Sequence, residues 1–147
     1  SPKDNREIPP LNYQRVYKLK ETFPDLNFVI NGGIKTIEES MYHLGYVDGV
    51  MLGREAYDNP FILTNVDSHI FSENYSVISR GDILKKLFPY IKSEVEKGTK
   101  ISHITKHLMG LFKGFEGAKD IRKYLVSLST EGDPIDTYKY FLSRTAI

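Results

Sequence analysis

The chain has 147 residues with 40% hydrophobic side chains, a formal net charge of +1 and no cysteine. This composition predicts one packed domain or a domain and a half, and it excludes a wholly disordered chain, disulfides, thiolate metal sites and a thiol nucleophile within these residues. Its apolar runs are far shorter than the roughly 18 residues of a membrane span. The polar start has neither an initiator Met nor an apolar leader, so we expect an excerpt of a longer cytoplasmic polypeptide.

The first half alternates between helical and strand patterns. A helical stripe covers residues 11–23, a short apolar strand covers 26–30, and a capping box at Thr36 starts a helix that ends at Gly45. A second apolar strand covers 47–52, and a short helix opens at 53–56. This order is typical of a parallel α/β sheet. A complete (β/α)₈ barrel needs on the order of 200–250 residues, so either another chain completes these strands or most of a barrel is absent.

The second half has a different pattern. Ser79 is predicted to cap a long helix that Pro89 kinks and Gly98 ends, and further amphipathic helices are predicted over 100–112 and 118–128. A fourth helix is predicted to start at residues 133–134. Four such helices predict a small bundle, which makes the fold α/β plus all-α. We expect the first domain to cover residues 1–71 and the helical domain to cover 72–147.

Two glycine turns follow the predicted strands. Asn31, Gly32 and Gly33 end the first strand, and Gly53 and Arg54 follow the second. Glycines let backbone N–H groups approach phosphate oxygens, and an arginine adds a charge-assisted hydrogen bond. Two such turns at consecutive strand ends therefore predict a phosphate-binding site. The alternative is that both are ordinary turns that bind no ligand.

Basic residues are concentrated in the segment 100–123, which contains six Lys or Arg and only two acids. This distribution indicates a polyanionic partner, although a solvated helix face would look the same. His103 and His107 are four residues apart, as in a zinc helix, but without the accompanying Glu we expect no metal site.

Several segments carry a resemblance to one enzyme family. In order and in spacing, the chain resembles the A-type tRNA-dihydrouridine synthases over residues 1–11, 30–34, 47–57, 59–60, 106–114 and 117–122. The resemblance implies an FMN-binding (β/α)₈ barrel followed by a helical tRNA-binding domain, and it makes this chain a C-terminal fragment of that barrel with the helical domain attached. It also implies reduction of uridine to 5,6-dihydrouridine in the tRNA D-loop, around nucleotides 20/20a, with NADPH as reductant.

The resemblance also assigns roles to residues of this chain. Asn31, Gly32, Gly33, Gly53 and Arg54 match the family's FMN-binding positions. The tRNA-contacting signature falls on four basic residues, which are Lys3, Arg6, Lys119 and Arg122.

No catalytic residue is expected here, because the family's catalytic Cys would precede Ser1. We therefore expect the fragment to be inactive alone.

Two alternatives stay open from the sequence alone. Another FMN-barrel oxidoreductase, such as a dihydroorotate dehydrogenase, would share the glycine turns but not the basic helices. A stand-alone RNA-binding module would need only the helical half. We expect no membrane association, and we expect the exposed edges of a two-strand sheet to favour self-association.

Overall fold

In a computed structural model, the described part of the chain is mostly helical and contains one two-stranded parallel sheet. The structure describes residues 10–72 and 78–127, together with residues 133, 135, 136, 138, 139 and 142. The α/β alternation predicted for the first half is confirmed, and the described part of the second half is helical.

The first half follows the predicted order of elements. Its helices and strands are α1 (Tyr13–Thr22), β1 (Val29–Asn31), α2 (Ile37–Leu44), β2 (Gly49–Met51) and α3 (Arg54–Asp58). The predicted capping box is confirmed: the Thr36 hydroxyl accepts from the Glu39 N–H, and the Glu39 carboxylate accepts from the Thr36 N–H. Gly45 ends α2 as expected.

Each strand is shorter than its apolar run predicted. β1 and β2 pair in parallel with Val29 opposite Gly49 and Asn31 opposite Met51. Ile30 is buried, but Val29 and Met51 are more than half exposed, which corrects the expectation of two buried strands. Only three residues pair because each strand has a single neighbour in the described chain. Self-association through these exposed strands stays a prediction.

A small core holds this first half together. Tyr17 of α1, Ile30 of β1, Ile34 and Val47 are buried against one another. Asp48 closes one end of this core, because its carboxylate accepts from the Phe28 N–H at 2.8 Å and lies 2.9 Å from the Lys20 ammonium. These contacts lower the pKa of Asp48, the hydrogen bond from Phe28 most of all. Asp48 is therefore a structural residue.

The second half contains one long helix and several short ones. A 3₁₀ helix (Pro60–Asn65) leads into α4 (Val66–His69), and α5 (Arg80–Glu96) follows. Ser79 caps α5 as predicted, in a capping box with Asp82, and Pro89 lies inside α5 without ending it.

The predicted helix over 100–112 is wrong in its geometry. The segment forms one α-helical turn, α6 (Ser102–Thr105), and then a 3₁₀ helix (Lys106–Phe112). Gly110 weakens the α-helical preference of this segment, and over seven residues an apolar stripe does not distinguish 3.0 from 3.6 residues per turn. The predicted helix at 118 is confirmed as α7 (Ala118–Ser127).

These helices share a second core of eight buried residues, which are Leu84, Ile91, Ile101, Leu111, Phe112, Ala118, Leu125 and Tyr138. The Tyr138 hydroxyl donates to the Leu84 carbonyl at 3.1 Å, and Ile135 and Leu142 pack against the same core. Phe61 also packs against it, although the predicted boundary at residue 72 assigns Phe61 to the first domain. The four-helix bundle and the division into domains stay predictions.

Arg80 connects Phe61 to the helical core. Its guanidinium lies 3.7 Å from the centre of the Phe61 ring and 5.1 Å from that of Phe115. Its Nε donates to the Leu111 carbonyl at 2.8 Å. Desolvation lowers the pKa of Arg80, yet an arginine remains charged at any physiological pH. This cation–π contact fixes the start of α5 against the segment that follows α3.

The two halves meet most closely at Gly110. A Cβ on Gly110 would lie 2.6 Å from the Tyr57 carbonyl oxygen and 2.8 Å from that of Asp58. The last turn of α3 and the 3₁₀ helix Lys106–Phe112 can therefore approach this closely only with glycine at position 110. The neighbouring contact between the Tyr57 hydroxyl and His107 Nδ1, 2.9 Å long, lies at the same junction.

We expect Gly110→Ala to lower the free energy of unfolding by about 2–3 kcal/mol, because the added methyl group meets backbone atoms that cannot rotate away. Urea unfolding with circular dichroism measures the change. Gly114→Ala is the matched control: its φ is +71° but nothing lies within 4 Å of the added Cβ. It should cost only about 1–2 kcal/mol of backbone strain. A Gly110→Ala variant as stable as the wild type would contradict the close contact.

Candidate functional site: an anion cavity between the two halves

The five residues predicted to hold a phosphate line one cavity. Its volume is about 480 Å³, and Asn31, Gly32 and Gly33 form one wall while Gly53 and Arg54 form another. Register explains the convergence, because Asn31 and Met51 are paired and the turns after β1 and β2 therefore leave the same end of the sheet. The sequence prediction that these residues act together agrees with this geometry.

The first turn has a backbone that favours glycine. Gly32 has φ +124° and Gly33 has φ +69°, both in a region that L side chains rarely adopt. The Tyr13 hydroxyl donates to the Gly32 carbonyl at 2.6 Å and so holds the turn from the α1 side. The turn lies directly before α2, whose own first N–H groups are partly satisfied by the capping box. The backbone of the glycine turn, rather than the first turn of α2, therefore forms this wall of the cavity.

Three cations and two carboxylates surround the cavity. The cations are Lys35, Arg54 and Lys113, and the carboxylates are Glu55 and Asp58. Arg54 is exposed at the start of α3, where its guanidinium is accessible to a ligand. A dianionic phosphate group placed here would meet a net positive environment.

Lys113 comes to this cavity from the helical half. Its ammonium lies 2.8 Å from Glu55 Oε1 and 3.1 Å from Oε2. This ion pair joins two residues that are 58 positions apart in the sequence. The Glu55 side chain is only 11% exposed, whereas Lys113 is half exposed. The hydrogen bond from Lys113 is the main cause that lowers the pKa of Glu55, with partial desolvation opposing it. Glu55 thus holds a lysine of the second half at the rim of the cavity.

The predicted RNA-contacting residues are placed differently from one another. Lys119 and Arg122 lie three positions apart on α7 and both are exposed. Arg122 Nε donates to the Ala118 carbonyl at 3.0 Å, and its side chain lines a second cavity next to the first. Lys119 lines neither cavity. Lys3 and Arg6 lie outside the described residues, so their role stays a prediction.

Sequence reasoning missed the other charged residues of the first cavity, namely Lys35, Glu55, Asp58 and Lys113. Lys35 follows the glycine turn at once and precedes the Thr36 cap, so its position alone could have indicated it. The Glu55–Lys113 pair has no local signal, because it depends on how α3 meets the 3₁₀ helix Lys106–Phe112.

Within the described ranges, no cluster of three or more His, Cys, Asp or Glu residues could hold a metal ion. The helices of those same ranges include none that is both long and apolar enough to cross a membrane.

Two glycine turns at the ends of adjacent parallel strands, with cations from both halves around one cavity, are typical of a phosphate site in an α/β protein, and a helical segment follows them. The chain belongs to the dihydrouridine synthase family, whose family model matches residues 1–146.

Several curated relatives share the family and are named tRNA-dihydrouridine(20/20a) synthase. Those of Escherichia coli K12 and Yersinia pestis are 52% and 50% identical to this chain over 125 residues, which are 85% of the chain and 36% of each relative. That of Vibrio cholerae is 46% identical over the same length, which is 38% of the relative. The chain thus spans little more than a third of the length of these relatives.

The lowered pKa of Glu55 predicts an acid-dependent contact between the two halves. A carboxyl group whose pKa is lowered by folding stabilises the folded state fully at pH values above its ordinary pKa of 4.5. This stabilisation is lost as the pH falls through the lower pKa of the folded state. We therefore expect Lys113→Met to be less stable than the wild type at pH 7, with the difference shrinking below pH 4.5.

Urea midpoints between pH 3 and pH 7 measure this difference. Lys86→Met is the matched control, because Lys86 is exposed on α5 and forms no ion pair with any described residue. Its effect should not depend on pH. A Lys113→Met deficit that is equal at pH 3 and pH 7 would show that the ion pair does not contribute.

Proposed function

We propose that this chain is the C-terminal part of a flavin-dependent tRNA-dihydrouridine synthase that reduces uridine to 5,6-dihydrouridine at positions 20 and 20a of the tRNA D-loop. The observation that carries the proposal is the meeting of Asn31, Gly32, Gly33, Gly53 and Arg54 at one cavity, in a chain that belongs to the dihydrouridine synthase family. Residues 1–71 are then the end of a (β/α)₈ barrel, and residues 72–147 are a helical tRNA-binding domain in a cytoplasmic enzyme.

The cavity suits the phosphate group of FMN. Its wall includes the left-handed Gly32 and Gly33, a kind of turn whose N–H groups bind phosphate, and Arg54 and Lys35 also line it. The Leu11 side chain packs against both glycines on the face where a Cβ would point. Asn31 adds an amide side chain at the end of β1. When bound, the flavin supplies the hydride that NADPH regenerates. The residues of this chain bind and orient its phosphate end.

The reduction itself requires residues beyond these 147. The chain has no cysteine, and a Cys is the general acid that the family resemblance implies. We therefore propose that the described cavity contributes binding and that residues 1–147 alone form no dihydrouridine.

We expect Arg54→Ala in the full-length enzyme to weaken FMN binding by about 10-fold or more, because it removes a charge-assisted hydrogen bond of about 1.5–3 kcal/mol. Flavin absorbance retained during dialysis measures the loss. The control is Arg15→Ala, since Arg15 is exposed on α1 and does not line the cavity. Full flavin retention by Arg54→Ala would remove Arg54 from the phosphate site.

The tRNA assignment has its own support. Lys119 and Arg122 are exposed on one helix, and Arg122 borders a cavity whose other basic residues are Lys106, His107 and Lys113. Cations grouped in this way mainly contact phosphates, so they position the RNA and make its affinity depend on salt. We propose that Lys3 and Arg6 add the second basic pair of this surface.

The full-length enzyme, incubated with FMN, NADPH and unmodified tRNA, should form dihydrouridine at positions 20 and 20a, as measured by mass spectrometry of D-loop fragments. Changing Lys119 and Arg122 together to Ala should weaken tRNA binding and lower the slope of log K against log salt by about 2. Lys86→Ala with Lys92→Ala, both on the exposed side of α5, is the matched control.

Modification at other positions would contradict the proposed substrate site. An unchanged affinity and salt slope in the Lys119 and Arg122 double variant would contradict the proposed RNA surface.

A further inference from the structure

A second cavity of about 250 Å³ lies beside the phosphate cavity, where α3 meets the 3₁₀ helix Lys106–Phe112 and α7. We call it the Tyr57 cleft, and its polar lining residues are Tyr57, Asp58, Lys106, His107, Lys113 and Arg122. Asp58 and Lys113 line both cavities, so the two are adjacent. Neither the glycine turns nor Lys119, the second signature residue on α7, belongs to this cleft.

The charges in the Tyr57 cleft favour an anion. Lys106, Lys113 and Arg122 line it with one carboxylate, that of Asp58. Lys113 is paired with Glu55, so Lys106 and Arg122 are the cations that a ligand would meet. Arg122 uses its Nε to donate to the Ala118 carbonyl, which leaves the terminal N–H groups of the guanidinium for a ligand. Lys106 forms no ion pair with any residue that the structure describes. A phosphodiester is the anion that an arginine and a lysine bind in this arrangement.

The cleft also contains an exposed aromatic ring. Tyr57 is 59% exposed although it lies at the junction of the two halves. Its hydroxyl hydrogen-bonds to His107 Nδ1 at 2.9 Å, and the two rings meet edge to face with their centres 5.8 Å apart. This contact fixes the orientation of the Tyr57 ring while most of its surface remains open. A fixed, open aromatic ring beside cations is the arrangement on which unpaired bases stack.

We propose that the Tyr57 cleft binds one unpaired nucleotide of the RNA substrate, with its base on the Tyr57 ring and its phosphate between Lys106 and Arg122. The inference rests on the proposed function in that it takes RNA as the substrate. Because Lys113 borders both cavities, the nucleotide in the cleft is adjacent to the bound flavin phosphate. The helical half thereby positions the RNA strand directly at the cofactor site, in addition to holding it at Lys119.

The test compares Tyr57→Phe with Tyr57→Ala in the full-length enzyme. Tyr57→Ala removes the stacking surface, so affinity for unmodified tRNA should fall about 10-fold, with the salt slope unchanged because no charge is lost. Tyr57→Phe loses the bond to His107 but keeps the ring, and it should bind tRNA as the wild type does. Flavin retention and the KM for NADPH should be unchanged in both variants.

Independent evidence comes from photo-cross-linking of the wild-type enzyme to tRNA that carries 4-thiouridine in the D-loop. We expect a cross-linked peptide that contains Tyr57. If Tyr57→Ala fails to fold, this measurement decides alone: cross-links confined to α7 would overturn the proposal.

Other outcomes separate the proposal from the function on which it rests. Wild-type tRNA affinity in Tyr57→Ala would overturn the cleft assignment while leaving the synthase function intact. A raised KM for NADPH with unchanged tRNA affinity would assign the cleft to the dinucleotide and overturn the proposal. Failure of the wild-type enzyme to bind tRNA would overturn both.

Discussion

The close approach of the 3₁₀ helix Lys106–Phe112 to the end of α3 determines how the two halves of this protein work together. At Gly110 the two backbones are so near that any side chain would overlap with the carbonyls of Tyr57 and Asp58. The same approach brings the Lys113 ammonium within 2.8 Å of the Glu55 carboxylate. It also brings His107 Nδ1 within hydrogen-bonding distance of the Tyr57 hydroxyl. This single packing contact therefore forms the second cavity and adds Lys113 to the first.

Apolar and cation–π contacts stabilise that approach from the opposite side of the 3₁₀ helix. Leu111 and Phe112 are buried in the helical core, and Arg80 donates to the Leu111 carbonyl while its guanidinium covers Phe61. Phe61 follows α3 by only three residues, so the helical core restrains both partners of the Gly110 contact. Loosening the helical core should therefore displace Lys113 from the cavity rim before it affects the glycine turns.

Local patterns in the sequence predicted local structure well. The Thr36 capping box, the Ser79 cap and the helix at 118 follow from short-range rules, and the turns after β1 and β2 were recognised by their glycines. Strand length was overestimated because an apolar run does not show how many neighbours a strand has. The Glu55–Lys113 pair and the 3₁₀ winding near Gly110 depend on contacts between residues about fifty positions apart, which no local pattern encodes. The binding residues contributed by each turn were therefore predictable, and those contributed by the docking of the halves were not.

The central claim is that the flavin-phosphate cavity is built by both halves, and amide hydrogen exchange tests it directly. In the full-length enzyme, adding FMN should slow exchange at the 31–35 turn and also across Lys106–Phe112, while α5 (Arg80–Glu96) exchanges as before. The second effect is expected because a phosphate at Arg54 also attracts Lys113, which orders the segment that carries it. Protection confined to the glycine turns and α3, with no change over residues 106–113, would contradict a shared cavity.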